Sequence, residues 1–229
     1  ALQGRLNFEG CTNPQFASST GLGRIAVAAW VLGIVLGVHL CILGGELALN
    51  GLSATPLLAW SLYAISLSFF HFSEFFTTAV TKPNAVTYDS PRLLPKSLPA
   101  AMPAFVLNHS TEYTVAVLAS WAEFWLEAWL APGLKQHGRF LLSGLAVVAV
   151  GQAVRVCAMW TAGRHFSHQI MTEREDGHAL VTHGVYRWLR HPSYFGWFWW
   201  STGSQLLLAN PFCFIGYTLA SWVFFRRRI

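Results

Sequence analysis

Charge is what this sequence has least of. Asp, Glu, Lys and Arg make up 11% of its 229 residues, against about 25% in an ordinary soluble domain. Hydrophobic residues account for 54%, with 11 Trp and 17 Phe among them, and the mean hydropathy is +0.42. So few charges cannot cover so much apolar surface in water, which excludes a soluble globule and points to a membrane. Cysteine is scarce as well. Cys11, Cys41, Cys157 and Cys213 form no C-x-x-C pair, which excludes a disulfide framework and a thiolate zinc site. Internal repeats are missing. The polar opening ALQGRLNFEGCTN leads us to expect no cleaved leader, and the closing Arg-Arg-Arg-Ile is neither a lipidation box nor a retention signal.

What is present is a series of apolar runs. A spanning helix needs about 20 apolar residues, and candidate spans lie at 22–44, 55–80, 104–130, 139–160, 194–208 and 212–225. The last two are short and separated only by Ala209-Asn210-Pro211. They read as a helical hairpin, because Asn-Pro favours a turn and proline suits a first helical turn. The expected fold class is therefore all-α: a polytopic integral membrane protein of about six transmembrane helices. A polar segment over 1–21 precedes a single membrane-embedded domain over 22–229.

Six spans place the N-terminus, the 81–103 and 161–193 loops and the C-terminus on one side. That side holds Arg5, Arg24, Lys82, Arg92, Lys96, Arg164, Arg174, Arg187, Arg190 and Arg226 to Arg228, while Lys135 and Arg139 face the other. The positive-inside rule makes the crowded side cytosolic. The net charge of +5 is thus a topological signal, and no motif supports nucleic-acid binding.

The longest polar stretch, 163–191, carries five of the nine histidines: His165, His168, His178, His183 and His191. One reading is a metal site, with His165 and His168 on one helical face. Membrane di-iron enzymes, however, need several histidine boxes with adjacent pairs, and acidic ligands are sparse here, so no metal is expected. The other reading is a cofactor pocket. Gly184 permits a sharp turn. Pro192 starts a helix and leaves neighbouring N–H groups for a ligand carboxylate. Tyr186 and Tyr194 offer aromatic faces to an adenine ring or a sulfonium cation. Arg155 lies inside a span, where a charge is costly and usually functional. Its candidate role is catalytic, as the guanidinium that recognises a substrate carboxylate. The alternative is an internal ion pair with Glu112, Glu123 or Glu127. For His71, Glu74 and Glu112, bonding between helices is the expected role.

The stretch 180–197, L-V-T-x-G-x-Y-x-x-x-R-H-P-S-Y-x-G-W, resembles the signature of isoprenylcysteine carboxyl methyltransferases. Further segments are similar: Phe70-His71-Phe72-Ser73-Glu74, the 107–114 segment, Ala158-Met159-Trp160-Thr161-Ala162-Gly163, Asn210-Pro211 and Trp222 to Arg226. The resemblance runs from about residue 68 onward. It implies S-adenosylmethionine as cofactor, held by His178, Ala179, Leu180, Val181, Tyr186, His191, Pro192, Ser193 and Tyr194, with Met171 where the family has a glutamine. It places Arg228 on the substrate side. It further implies a cytosol-facing cofactor region over about 163–196, the endoplasmic reticulum membrane, and isoprenylated cysteine C-termini of CaaX proteins as partners. Alternatives are a related membrane methyltransferase, a sterol-reductase-like enzyme, or a non-enzymatic transporter or scaffold.

Overall fold

The computed structural model describes residues 22–83, 86–87, 102–103, 111–167 and 179–227. Among these, six α-helices follow one another: α1 (Leu22–Asn50), α2 (Pro56–Thr81), α3 (Thr111–Leu130), α4 (Gly138–Ala162), α5 (Pro192–Leu207) and α6 (Pro211–Arg226). Two residues of β1 (Val86–Thr87) pair in parallel with β2 (Met102–Pro103). Proline sets three of the helix starts, at the first helical position where its missing N–H costs nothing. At α2 the cap is completed by Thr55, whose hydroxyl accepts from Leu58 N at 3.0 Å. The turn between α5 and α6 places Ala209 at φ 50, an uncommon conformation for a residue with a Cβ.

Each apolar run thus becomes a helix. α1 continues beyond the expected boundary to Asn50, and residues 104–110 of the third run lie outside the described set. By length and composition, two helices qualify as membrane spans, Gly23–Asn50 and Gly138–His165. The others fall short of the six expected spans for a physical reason. α2 and α3 carry His71, Glu74, Glu112, Glu123 and Glu127. α5 and α6 have 16 residues each, about 24 Å of helix against a hydrocarbon core of about 30 Å.

The tightest seam joins α4 to α5, and glycine makes it possible. A Cβ on Gly151 would stand 2.5 Å from the Trp200 backbone nitrogen, and one on Gly203 would stand 2.7 Å from Val147 Cγ1. Small residues of this kind let two backbones approach where lipid supplies no hydrophobic drive.

At the opposite end of the bundle from the 179–191 loop, α3 grips the α5–α6 turn. Glu123 accepts from Phe212 N (2.8 Å) and Cys213 N (2.7 Å), capping α6 with a carboxylate where the helix dipole favours one. Asn210 donates to the Ser120 carbonyl at 2.9 Å. Lys135, 3% exposed, faces Glu127 Oε2 (2.6 Å), Asn210 Oδ1 (2.8 Å) and the carbonyls of Ala209 (2.8 Å) and Leu208 (3.1 Å). Lys135, assigned from sequence only to the side opposite the basic loops, is thus buried and fully paired. It is a structural cation whose acceptors are supplied by the turn it holds, and the charge asymmetry between the two ends widens. Replacing Lys135 with alanine orphans the Glu127 carboxylate and three further acceptors. We expect a loss of about 3 kcal/mol, read as a lower melting temperature in detergent, with ligand affinity at the distant loop unchanged.

Candidate functional site

The loop over 179–191 is folded back onto the end of α4. Gly163 ends that helix at φ 52, and Gly184 sits at φ 57, where an added Cβ would stand 2.9 Å from Thr161 Cγ2. Glycine is needed at 184 for both conformation and space. Val181 and Tyr186 pack on Met159, Ala162 and Phe166. Ala179 N donates to His165 Nδ1 at 3.3 Å. Burial raises the Tyr186 phenol above its ordinary value, opposed by the charge of Arg155, so the ring presents a neutral hydroxyl. Ala179 and Leu180 are exposed, with Leu180 at 87%.

From the end of this loop an aromatic column descends into the helices. The exposed His191 ring is stacked on Tyr194 (centroids 5.7 Å, interplanar 12°), and Tyr194 on Phe225 (4.9 Å, 26°). Phe225 meets Trp197 edge-on at 6.2 Å. Pro192 and Ser193, beside this column, are buried against the interior.

Beneath it lies Arg155, 1% exposed. Its Nε donates to Glu74 Oε1 (2.5 Å) and Nη2 to Glu74 Oε2 (2.7 Å), while Nη1 donates to Ser193 Oγ (2.9 Å) and Ser193 O (3.2 Å). The guanidinium carbon is 4.8 Å from the Trp197 ring centroid. The partner expected among Glu112, Glu123 and Glu127 is thus replaced by Glu74. Glu123 caps α6, Glu127 pairs with Lys135, and Glu112 is exposed on the first turn of α3. The pair is part of a wider α2–α4 interface: Gln152 donates to Ser73 Oγ at 2.8 Å, one turn from Arg155. His71 bonds Tyr113 at 3.1 Å, consistent with the expected inter-helix role of His71 and Glu74. Ser73-Glu74 on α2 and Gln152-x-x-Arg155 on α4 are complementary polar sites in otherwise apolar helices, a pattern that marks each face without saying which helix it meets.

A cavity of about 660 Å³ opens between α2, α3, α5 and α6. Its walls are mostly carbon, from Leu67, Ala116, Trp200, Gly216 and Phe225, with Glu112 and Tyr113 contributed by the start of α3. Trp200 carries a buried indole N–H with no hydrogen-bond partner. The residues that line this cavity were not legible in the sequence, because four separate helices build it. Among the described residues no three His, Cys, Asp or Glu side chains converge as metal ligands. Met171, His178 and Arg228, expected at the site, lie outside the described residues.

Residues 144–229 match the sequence profile of the isoprenylcysteine carboxyl methyltransferase (ICMT) family. Among curated relatives, the protein-S-isoprenylcysteine O-methyltransferase of Xenopus laevis is 44% identical over 208 residues, covering 91% of this chain and 65% of its own length. That of Saccharomyces cerevisiae is 35% identical over 214 residues, covering 91% of this chain and 80% of the relative. The A form from Arabidopsis thaliana is 40% identical, covering 77% of this chain and 82% of the relative. The chain therefore spans just under two thirds of the Xenopus relative, although it covers most of the yeast and plant ones. A solved structure of the eukaryotic intramembrane Ras methyltransferase ICMT shares the fold at TM-score 0.73 and 40% identity, over 90% of this chain and 66% of that one. A helical bundle matched to an intramembrane structure, and relatives aligned over four fifths of their length in yeast and plant, lead to one assignment: this chain belongs to the isoprenylcysteine carboxyl methyltransferase family.

Proposed function

We propose that the chain transfers a methyl group from S-adenosylmethionine to the C-terminal carboxylate of isoprenylated cysteine in CaaX-processed proteins. It does so as a polytopic protein of the endoplasmic reticulum membrane with six spanning helices in one domain and the 163–196 region on the cytosolic face. The observation that carries this reading is a juxtaposition. The aromatic column His191–Tyr194–Phe225 leads from an exposed loop to the wall of a largely apolar cavity. A water-soluble donor and a lipid-anchored acceptor need those two compartments side by side. Arg164, Arg187, Arg190, Arg226 and Arg227 cluster at the helix ends next to the loop, which supports the cytosolic orientation.

The loop fits the donor chemically. Tyr186, His191 and Tyr194 offer aromatic surface to an adenine ring or a sulfonium, and the exposed Ala179–Leu180 edge offers backbone groups. Met171 and His178 complete the donor set, and Pro192 shapes the helix start that carries it. The bound donor supplies an electrophilic methyl group. The acceptor carboxylate is already ionised at neutral pH, since carboxyl groups titrate near about 3 to 4, so no general base is required. What the chain contributes is alignment and exclusion of water. Arg155 directs Nε and Nη2 to the Glu74 carboxylate and Nη1 to Ser193. It anchors the start of α5 under the loop. Paired with Glu74 it is neutral overall, so attraction of the carboxylate falls to Arg228.

The cavity supplies binding energy, with up to about 0.8 kcal/mol for each prenyl CH₂ taken out of water. An S-farnesylated cysteine is therefore expected to accept labelled methyl from S-adenosylmethionine, while the same cysteine without its lipid is not turned over. Equal turnover of the two acceptors sinks the assignment.

A further inference from the structure

One side chain belongs to both compartments. Phe225, in the last turn of α6, is 8% exposed and lines the apolar cavity. One face of its ring is stacked against Tyr194, 4.9 Å away, and Tyr194 carries the exposed His191 ring above it. The same ring meets Trp197 at 65°. Trp197 lines the cavity from α5 and is held from behind by the Arg155 guanidinium. Through this phenyl group the stacked column meets the cavity wall, and the ring has aromatic neighbours on two sides.

We infer that Phe225 is a positioning residue: its ring is the partition between the donor loop and the lipid cavity, and sets how closely the two ligands approach. The inference rests on the methyl-transfer reading above. Its physical basis is alignment. A transfer in line tolerates little displacement of either partner, and the ring that backs Tyr194 also walls the cavity, so shifting it displaces both ligands together. A flat, rigid side chain also closes the junction against water, which an aliphatic chain of similar volume does less completely. A residue that merely lined one compartment would affect one ligand alone.

The test compares the full chain with Phe225→Leu, Phe225→Met and Phe225→Tyr, each first checked for folding by its melting profile. Calorimetry with S-adenosylhomocysteine reads the donor side without turnover, and steady-state kinetics with an S-farnesylcysteine acceptor read the other. Phe225→Leu is expected to weaken S-adenosylhomocysteine and raise the acceptor KM by about three- to tenfold each, the worth of one aromatic pair. We expect kcat to fall by more than about tenfold through misalignment. Phe225→Tyr, which keeps the ring, restores all three. Phe225→Met tests the same point if the leucine variant does not fold. A folded Leu or Met variant that moves only one of the two affinities, or neither, overturns the partition while leaving methyl transfer by the parent chain intact. A parent chain that methylates no prenylcysteine overturns both readings.

Discussion

Gly196→Ala is expected to cost about 3 kcal/mol of stability, the upper end for overpacking, and to lower turnover by as much as about 100-fold, the penalty of a 1 Å misplacement. The added Cβ would stand 2.7 Å from Arg155 N and 2.7 Å from Gly151 O, with Arg155 Cβ at 2.8 Å. Two of those three neighbours are α4 backbone, which cannot rotate aside as a side chain can. α5 must move away from α4, and it carries Ser193 and Tyr194 with it. Arg155 then loses the alignment of its bonds to Ser193. Gly33→Ala is the matched control. A Cβ at Gly33 meets nothing within 4 Å, so alanine there should be neutral or stabilise by up to about 1 kcal/mol through helix propensity. The measurements are thermal unfolding in detergent and methyl transfer at saturating donor. Equal behaviour of the two variants overturns the account of the α4–α5 seam.

Removing Glu74 should be comparably severe. Glu74 is fully buried and pairs through both oxygens with an Arg155 that is 1% exposed. Glu74→Ala leaves the guanidinium desolvated and without its counter-charge, a loss of roughly 3–5 kcal/mol. Replacing both partners, Glu74→Met with Arg155→Met, should recover much of that stability, because no buried charge remains. The double variant should stay inactive, since the α5 start loses its anchor at Ser193. Stability regained without activity separates the structural share of the pair from its part in catalysis. Recovery of both would show that Arg155 has no role in turnover.

The polar residues of the spans show where sequence reasoning reached its limit. Arg155 stood out in the sequence because a charge on an apolar helix is costly wherever it sits. Its partner was not legible. Helical periodicity states which residues share a face, but not which helix that face meets, and Glu74 lies 81 residues away in sequence. Glu123 and Glu127 offered equally good chemistry and proved to be engaged elsewhere, at the α6 N-terminus and at Lys135. Lys135 entered the sequence reading only as a charge on the side opposite the basic loops, and the short turn Pro132–Lys135 that carries it gave no sign of its burial. Its burial depends on acceptors 73 to 75 residues away in sequence, the Leu208 and Ala209 carbonyls and Asn210 Oδ1.

The stretch over 178–196 had the opposite character. The roles proposed for Gly184, Tyr186, Pro192 and Tyr194 rest on local conformation and ring chemistry, which can be read from the residues themselves. The sequence by itself therefore determined the membrane class, the positions of six helices, the hairpin at Asn210-Pro211 and the family of the loop. Only the tertiary structure decided that Arg155 answers to Glu74, that glycines press α4 onto α5, and that Phe225 stands between loop and cavity. The physical reason is common to all three. Each depends on the register in which separate helices meet, and that register is set by packing over the whole bundle rather than by the pattern along any one helix.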